Sequence, residues 1–372
     1  LILQNILPSV PTFTLAGKGN LEFTIVRSTE ENNLGISATI DSLNINGEDL
    51  GDLDLSANGN TELNAYFADL DLRQSGQQKM GLKGLWRGLE DPSLNFNLNF
   101  NDLDLAFLSP LGKKAVNKIR GKVGGEVTLW GPLKDLKHEG TLDWTRGGFG
   151  VPFLNLDYEI EPTQVRLSNQ TFNFKTVVLN DTDQGTSGVL NGNFSHTNFS
   201  NWVTDLEISS ERMLLLNTEQ KPESLFFGEG FLQGTVQLRG PTKGLQISLQ
   251  GATEQGTSIK IPWSENYGLS DTSFVRFVNK YAKDGNRKET VQQQIEEVKG
   301  LELDFELDVN NKATVEIVID QETGSFLSGR GAGNLFMEVN TLGKFNMWGD
   351  FITYDGIYNF KNLGVIDKKF DV

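Results

Sequence analysis

The sequence predicts an all-β fold: a long antiparallel sheet curled into a U-shaped hydrophobic groove (a β-taco), with two short helices. Three observations carry this expectation. Apolar and polar residues alternate with a period of two through most of the chain. Gly, Asn, Asp and Pro punctuate the alternating runs at hairpin spacing. Helical spacing is confined to two short stretches, too few to cover the apolar side of roughly two dozen strands.

Composition narrows the class. The 372 residues carry 33 Lys+Arg against 49 Asp+Glu, a net charge of -16. That balance opposes nucleic acid or an anionic membrane surface as the main partner. There is no cysteine, which excludes a disulfide framework and a thiolate zinc site. No apolar run approaches the ~20 residues of a spanning helix. The opening LILQNIL has neither a basic leader nor a long apolar stretch, and the closing NLGVIDKKFDV carries no terminal element. Both ends are expected to be cut from a longer chain.

Taken in order, the first clear strand is SLNFNLNF. Leu94, Phe96, Leu98 and Phe100 share one face, and Asn95, Asn97 and Asn99 the other. Ser109-Pro110 then reads as an N-cap with proline at the first helical position. Leu111, Ala115 and Ile119 fall on one face of that helix, which Gly121 ends, and they form a possible gate over the groove's open seam. The basic cluster KKAVNKIRGK (Lys113 to Lys122) reads as the solvated side of the same helix, with lipid phosphates or an acidic partner as the alternative.

Two stretches resemble one another as a drifted internal repeat. GGEVTLWGPLKDLKHEGTLDW and LQGTVQLRGPTKGLQISLQGA both set a strand, a Gly-Pro turn and a second strand in series. Between them, DTDQGTSGVLNG opens like a calcium loop at Asp181, Asp183 and Gly185. Gly192 stands where a bidentate Glu is required, so the segment reads as a turn. The second copy contributes Val236, Leu238, Leu245, Ile247 and Leu249 to the apolar face. A second helix is expected near Asp271, with Phe274, Phe277, Val278 and Tyr281 at helical spacing. The polar run KDGNRKETVQQQIEEVKG follows it. LELDFELDVN is the cleanest alternation: Leu301, Leu303, Phe305, Leu307 and Val309 oppose Glu302, Asp304, Glu306, Asp308 and Asn310.

Chemistry is sparse. The two histidines, His138 and His196, lie beside turn residues, and no nucleophile, base and acid assemble around either. No catalytic residue, metal site or cofactor is expected. Four architectures hide an apolar sheet face. Stacked sandwiches run to about 100 residues with clear linkers, and a β-helix needs short rungs. A transmembrane barrel needs Tyr and Trp girdles, whereas here 24 Phe outnumber 6 Tyr and 6 Trp. The trough remains, its apolar side lined by the residues just named. A sandwich array such as an extracellular adhesin is the rival with a sealed interior.

The stretch SLFFGEGFLQGTVQLRGPTKGLQISLQGATEQGTSIKIPWS (Ser224 to Ser264), with SDTSFVRFVNK after it, resembles the distal part of TamB-type proteins of the AsmA-like, repeating-β-groove group. The end of the chain, with Gly356, Tyr358 and Phe360 in a Gly-x-Tyr-x-Phe rhythm, is similar to the start of that family's C-terminal module. The resemblance divides the chain into a groove segment, 1–330, and the opening of the module, 331–372. It implies a periplasmic bridge between inner and outer membranes that carries phospholipid. An outer-membrane barrel partner of the TamA/BamA type is implied too, with an inner-membrane anchor absent from this chain. It also leaves open a role in outer-membrane protein assembly through strand edges.

Overall fold

The computed structural model describes residues 14–27, 32–60, 64–88, 91–112, 115–221, 226–262, 302–320, 323–340, 345–362 and 366–371. They form 21 strands and divide into two compact units. Unit 1 comprises Leu1–Ser210 with Val236–Leu245, and unit 2 comprises Glu211–Thr235 with Gln246–Val372. The all-β expectation holds.

Unit 1 opens with a meander. Strands β1 (Leu15–Arg27), β2 (Asn32–Ile45), β3 (Glu48–Asn60), β4 (Ala65–Gln74), β5 (Gln77–Arg87), β6 (Ser93–Asp104), β7 (Asn117–Pro132) and β8 (Lys137–Val151) pair in sequence, each antiparallel to the next. Tight polar turns such as Asn46-Gly47 and Ser75-Gly76 join them, and both residues of each turn have positive φ. The far edge of β8 is shared. β9 (Leu156–Ile160) pairs with its second half and β10 (Thr163–Asn169) with its first. Both then pair with β11 (Thr171–Asp181), followed by β12 (Ser187–Thr197). β13 (Ser200–Thr218) and β14 (Phe227–Pro241) contribute residues to both units.

Glycines let neighbouring backbone come close on the apolar side of unit 1. Gly124 and Gly125 are consecutive, so they face opposite sides of β7. A Cβ built on Gly124, on the polar side, meets nothing closer than 3.7 Å. One on Gly125 would sit 2.2 Å from the Thr141 carbonyl oxygen of β8. On β5, Gly84 would meet the Asn95 oxygen of β6, fixed backbone, at 2.0 Å, whereas Gly81 would meet the movable end of the Gln78 side chain at 2.9 Å and no backbone closer than 3.9 Å. Neighbouring backbone thus lies close on the apolar side at Gly84 and Gly125, where a side chain is missing.

One end of this face is closed. Bulges between Ile40 and Leu43 and between Phe100 and Leu103 reset the alternation. Leu43 and Leu103 therefore join Leu50, Leu72 and Val123 in a sealed cluster. A strap covers it: a 3-10 turn, Ala106–Gly112, follows β6. Leu105 and Phe107 pack on the cluster, and the Phe107 carbonyl accepts from Asn46 Nδ2 at 2.8 Å. This strap replaces the expected amphipathic helix. Pro110 lies inside the turn and removes an amide from any longer ladder. Ser109 is not an N-cap; its hydroxyl accepts from the Ile119 amide, on β7. Of the three expected gate residues, only Leu111 lies on the strap, while Ala115 follows it and Ile119 is in a strand. The second expected helix, near Asp271, falls outside the described residues.

Unit 2 departs from a purely antiparallel sheet. β15 (Gln246–Thr253) pairs in parallel with β17 (Glu302–Val309), and β16 (Ser258–Pro262) in parallel with β18 (Thr314–Asp320). A parallel partner needs a connection of about a dozen residues or more, and residues 263–301 supply that length. β19 (Ser325–Asn340) then runs antiparallel to both β17 and β18, and β20 (Phe345–Asn362) and β21 (Ile366–Asp371) continue in hairpin order.

β15–β16 and β17–β18 are two bent strands with their corners in register. Thr253 is fully buried at the first corner. Its hydroxyl accepts from the Asn310 amide at 3.1 Å, and its carbonyl from Asn310 Nδ2 at 2.7 Å. The Thr257 carbonyl in turn accepts from the Thr314 amide.

Candidate functional site

Printing side chains onto the registers of unit 1 shows what the alternation builds. From β1 to β12, with β9 omitted, one row of directly paired positions reads Leu21, Ala38, Leu55, Leu70, Leu82, Leu98, Val127, Gly140, Leu167, Phe172 and Phe194. A second row reads Phe23, Ile36, Ala57, Ala68, Gly84, Phe96, Leu129 and His138. No charged residue interrupts either. At ~4.8 Å per strand, eleven strands make an apolar track of order 50 Å.

The track is not a sealed core. Leu55, Leu70, Leu82, Leu94, Phe96, Leu98 and Phe100 are all half-buried. Exposure rises toward β1, where Phe23 and Ile25 are each 61% exposed. It falls toward β10 and β11, where Val165, Leu167, Val177 and Leu179 are buried. A leucine in the middle of a two-layer sandwich is closed off by the facing layer. Leu55, Leu70, Leu82, Leu94 and Leu98 are not.

The reverse face is polar and matched partner by partner. Asn97 lies opposite Thr128, whose hydroxyl donates to the Asn97 Oδ1 at 3.0 Å. Asn99 donates to Glu126, its register partner, and Lys83 pairs with Asp69, its own. In unit 2, Gln246 donates to Glu302 and Gln250 to Glu306 across the parallel pair. Such cross-strand bonds hold register against a slip, which would turn the apolar set outward. The pattern is not perfect: Phe67, Leu85 and Trp130 lie on this side too.

The other expected lining residues distribute unevenly. Val236 and Leu238 lie on β14, half-buried and alternating with Gln237 and Arg239, which pair with Glu207 and Asp205. Leu245 precedes β15 and is not in a strand. Ile247 and Leu249 pair with Leu303 and Phe305, and these in turn with Val339 and Met337 of β19. Leu307 and Val309 are buried in a compact cluster with Ala313, unlike their half-buried strand mates. Leu301 lies outside the described residues.

Two features escape the sequence. The cluster Lys113 to Lys122 is not one solvated helix face: Lys118 and Arg120 sit on β7 and pair with Asp157 of β9 at 3.1 and 2.7 Å. Burial pushes the Asp157 carboxyl up, but the bonds from Lys118 and Arg120 outweigh it and hold the carboxyl below its usual value. The histidines, 58 positions apart, meet at 2.9 Å on the apolar side. Alternation within one strand carries no signal for either long-range pairing.

Among the described residues no group of three or more His, Asp or Glu side chains is placed to hold a metal ion. No described helix is long and apolar enough to cross a membrane. Neither the curated proteins nor the solved structures give a match. Comparison with protein families finds the TamB C-terminal domain over residues 175–372, just over half of the chain. This span runs from β11 to the final strand, so it takes in part of the apolar track and all of the parallel-paired unit after Glu211. The chain belongs to the TamB family, cell-envelope proteins of the translocation and assembly module.

Proposed function

We propose that the chain carries phospholipid acyl chains along its apolar track, as a periplasmic bridge between the inner and outer membranes. In this reading it works with an outer-membrane barrel partner of the TamA/BamA type. The observation that supports it is the register-locked, half-buried track of unit 1. An apolar surface of that extent in water calls for an occupant.

Energetics favour a lipid tail. Each methylene moved into water costs ~0.8 kcal/mol, so a chain of ~16 methylenes costs about 13 kcal/mol. A surface of Leu, Phe, Ile and Val cancels most of that cost at every step. With no charged residue along either row, and the one histidine, His138, buried at the far end of the second, no single position holds the tail tightly. The headgroup stays at the open side, in water.

The test is native mass spectrometry of the 372-residue chain, paired with transfer of labelled phospholipid between donor and acceptor vesicles. Phe96→Arg and Leu82→Asp place charges in adjacent rows. Together they are expected to remove bound phospholipid and reduce transfer at least tenfold while strand content is kept. Undiminished transfer by the folded double variant refutes the conduit.

A second reading has its own observation. Among the described residues β1 pairs only with β2, and Leu21, Phe23, Ile25 and Val26 are exposed on it. Such an edge is a template for strand addition by a client β-protein. Proline at Thr24 would then impair client assembly more than the charged pair does.

A further inference from the structure

The chain has two histidines, and both lie on the apolar side of unit 1. His138 of β8 is 2% exposed and His196 of β12 is 5% exposed, with their Nε2 atoms 2.9 Å apart. Their neighbours fix the protons. The Phe199 amide donates to His196 Nδ1 at 3.0 Å, so His196 carries its proton on Nε2. That proton is donated to His138 Nε2. His138 therefore carries its own proton on Nδ1, a buried atom with no hydrogen-bond partner. Both rings are neutral, and each bond dictates the next.

An added proton has no place in this arrangement. On His196 it must go to Nδ1, where it opposes the Phe199 N–H. On His138 it must go to Nε2, where it opposes the His196 N–H. Either way two donors face each other in an apolar setting.

Among the described residues, the register partners of His138 and the rings packed on the pair carry no charge. The residue opposite His138 on β7 is Leu129, and on β10 it is Asn169. Phe172 of β11 lies 5.0 Å from the His138 ring, and Trp202 of β13 meets His196 edge-on at 4.6 Å. Lys137 and Asp135 pair with each other, and Glu139, exposed, alternates onto the opposite face of β8.

We propose that protonation of this pair releases the β12–β13 turn from the wall made by β8, β10 and β11, so that acid opens unit 1 at this point. The proposal does not rest on what the track carries. Burial first, and then the neighbouring ring, hold His138 at a pKa of about 4, and burial also lowers His196. A folded value below the ordinary 6.5 means full stability above pH 6.5, lost as pH falls toward 4. For His138 alone the opening constant rises about 70-fold between pH 7.5 and pH 4.5.

Hydrogen exchange of the full chain at those two pH values, corrected for intrinsic rates, tests this. Peptides covering residues 196–204 are expected to lose at least 70-fold in protection, while those covering 302–309 keep theirs. The double variant His138→Phe, His196→Phe is expected to lose the difference. Should that variant not fold, the 13Cε1 shifts of both histidines in the unaltered chain are expected to titrate below pH 6, together with the exchange. Equal protection at both pH values overturns the proposal. So does a persistent pH effect in the folded variant, or ring titration near 6.5 with the turn still closed.

Discussion

Leu98→Asp discriminates an open face from a sealed one. Leu98 sits mid-row between Leu82 and Val127 and is half-buried. Full burial of a leucine is worth ~1.5–3 kcal/mol, so about 1 kcal/mol of transfer energy is lost there. The new carboxylate still reaches water, which adds about 1 kcal/mol for partial desolvation. The expected cost is about 2 kcal/mol. Leu179 of β11 is fully buried and serves as the reference. Leu179→Asp loses the whole transfer term, leaves a cavity and buries a charge, about 5 kcal/mol or more. Urea unfolding followed by tryptophan fluorescence measures both, since Trp86, Trp130, Trp144 and Trp202 all report from unit 1. Equal costs at the two positions would mean that Leu98 faces a filled interior, and the open track would be wrong.

Other consequences follow from particular contacts. Gly125→Val forces a side chain against the Thr141 carbonyl and is expected to abolish cooperative unfolding of unit 1, whereas Gly124→Val, whose Cβ meets only the Phe100 oxygen at an ordinary 3.7 Å, changes stability by less than ~1 kcal/mol. Asn46→Ala removes the side-chain bond that holds Phe107, and limited proteolysis is expected to cut near residues 105–112 several times faster with strand content intact. Thr253→Val keeps the shape of the buried corner but strands the Asn310 amide; a loss of about 2 kcal/mol is expected, read as faster hydrogen exchange over 302–320.

Much of the fold was legible because period-two alternation is a local signal. Leu94, Phe96, Leu98 and Phe100 share one side of β6 as the asparagines between them imply. Leu21, Phe23 and Ile25 alternate just as cleanly and mark the exposed start of the track. Three features depend on information that alternation does not hold. The capping pattern at Ser109-Pro110 suggests a helix, but the Ser109 hydroxyl serves an amide ten residues on, and tertiary packing of Phe107 decides the conformation. The parallel pairing of β15 with β17 is set by how the chain returns after residue 262, and strand composition is indifferent to direction. The histidine contact joins β8 to β12, four strands on in the chain, each His looking like one more turn-flanking polar residue.

The close approach of neighbouring strands in unit 1 is written at positions such as Gly84 and Gly125, which contribute no side chain. Shape and chemical character are therefore specified by different residues. Leucine can drift to isoleucine, phenylalanine or valine along the rows without pushing the strands apart, provided the glycines stay. Divergence among relatives should then leave these close-contact glycines as fixed points in an otherwise interchangeable oily alphabet.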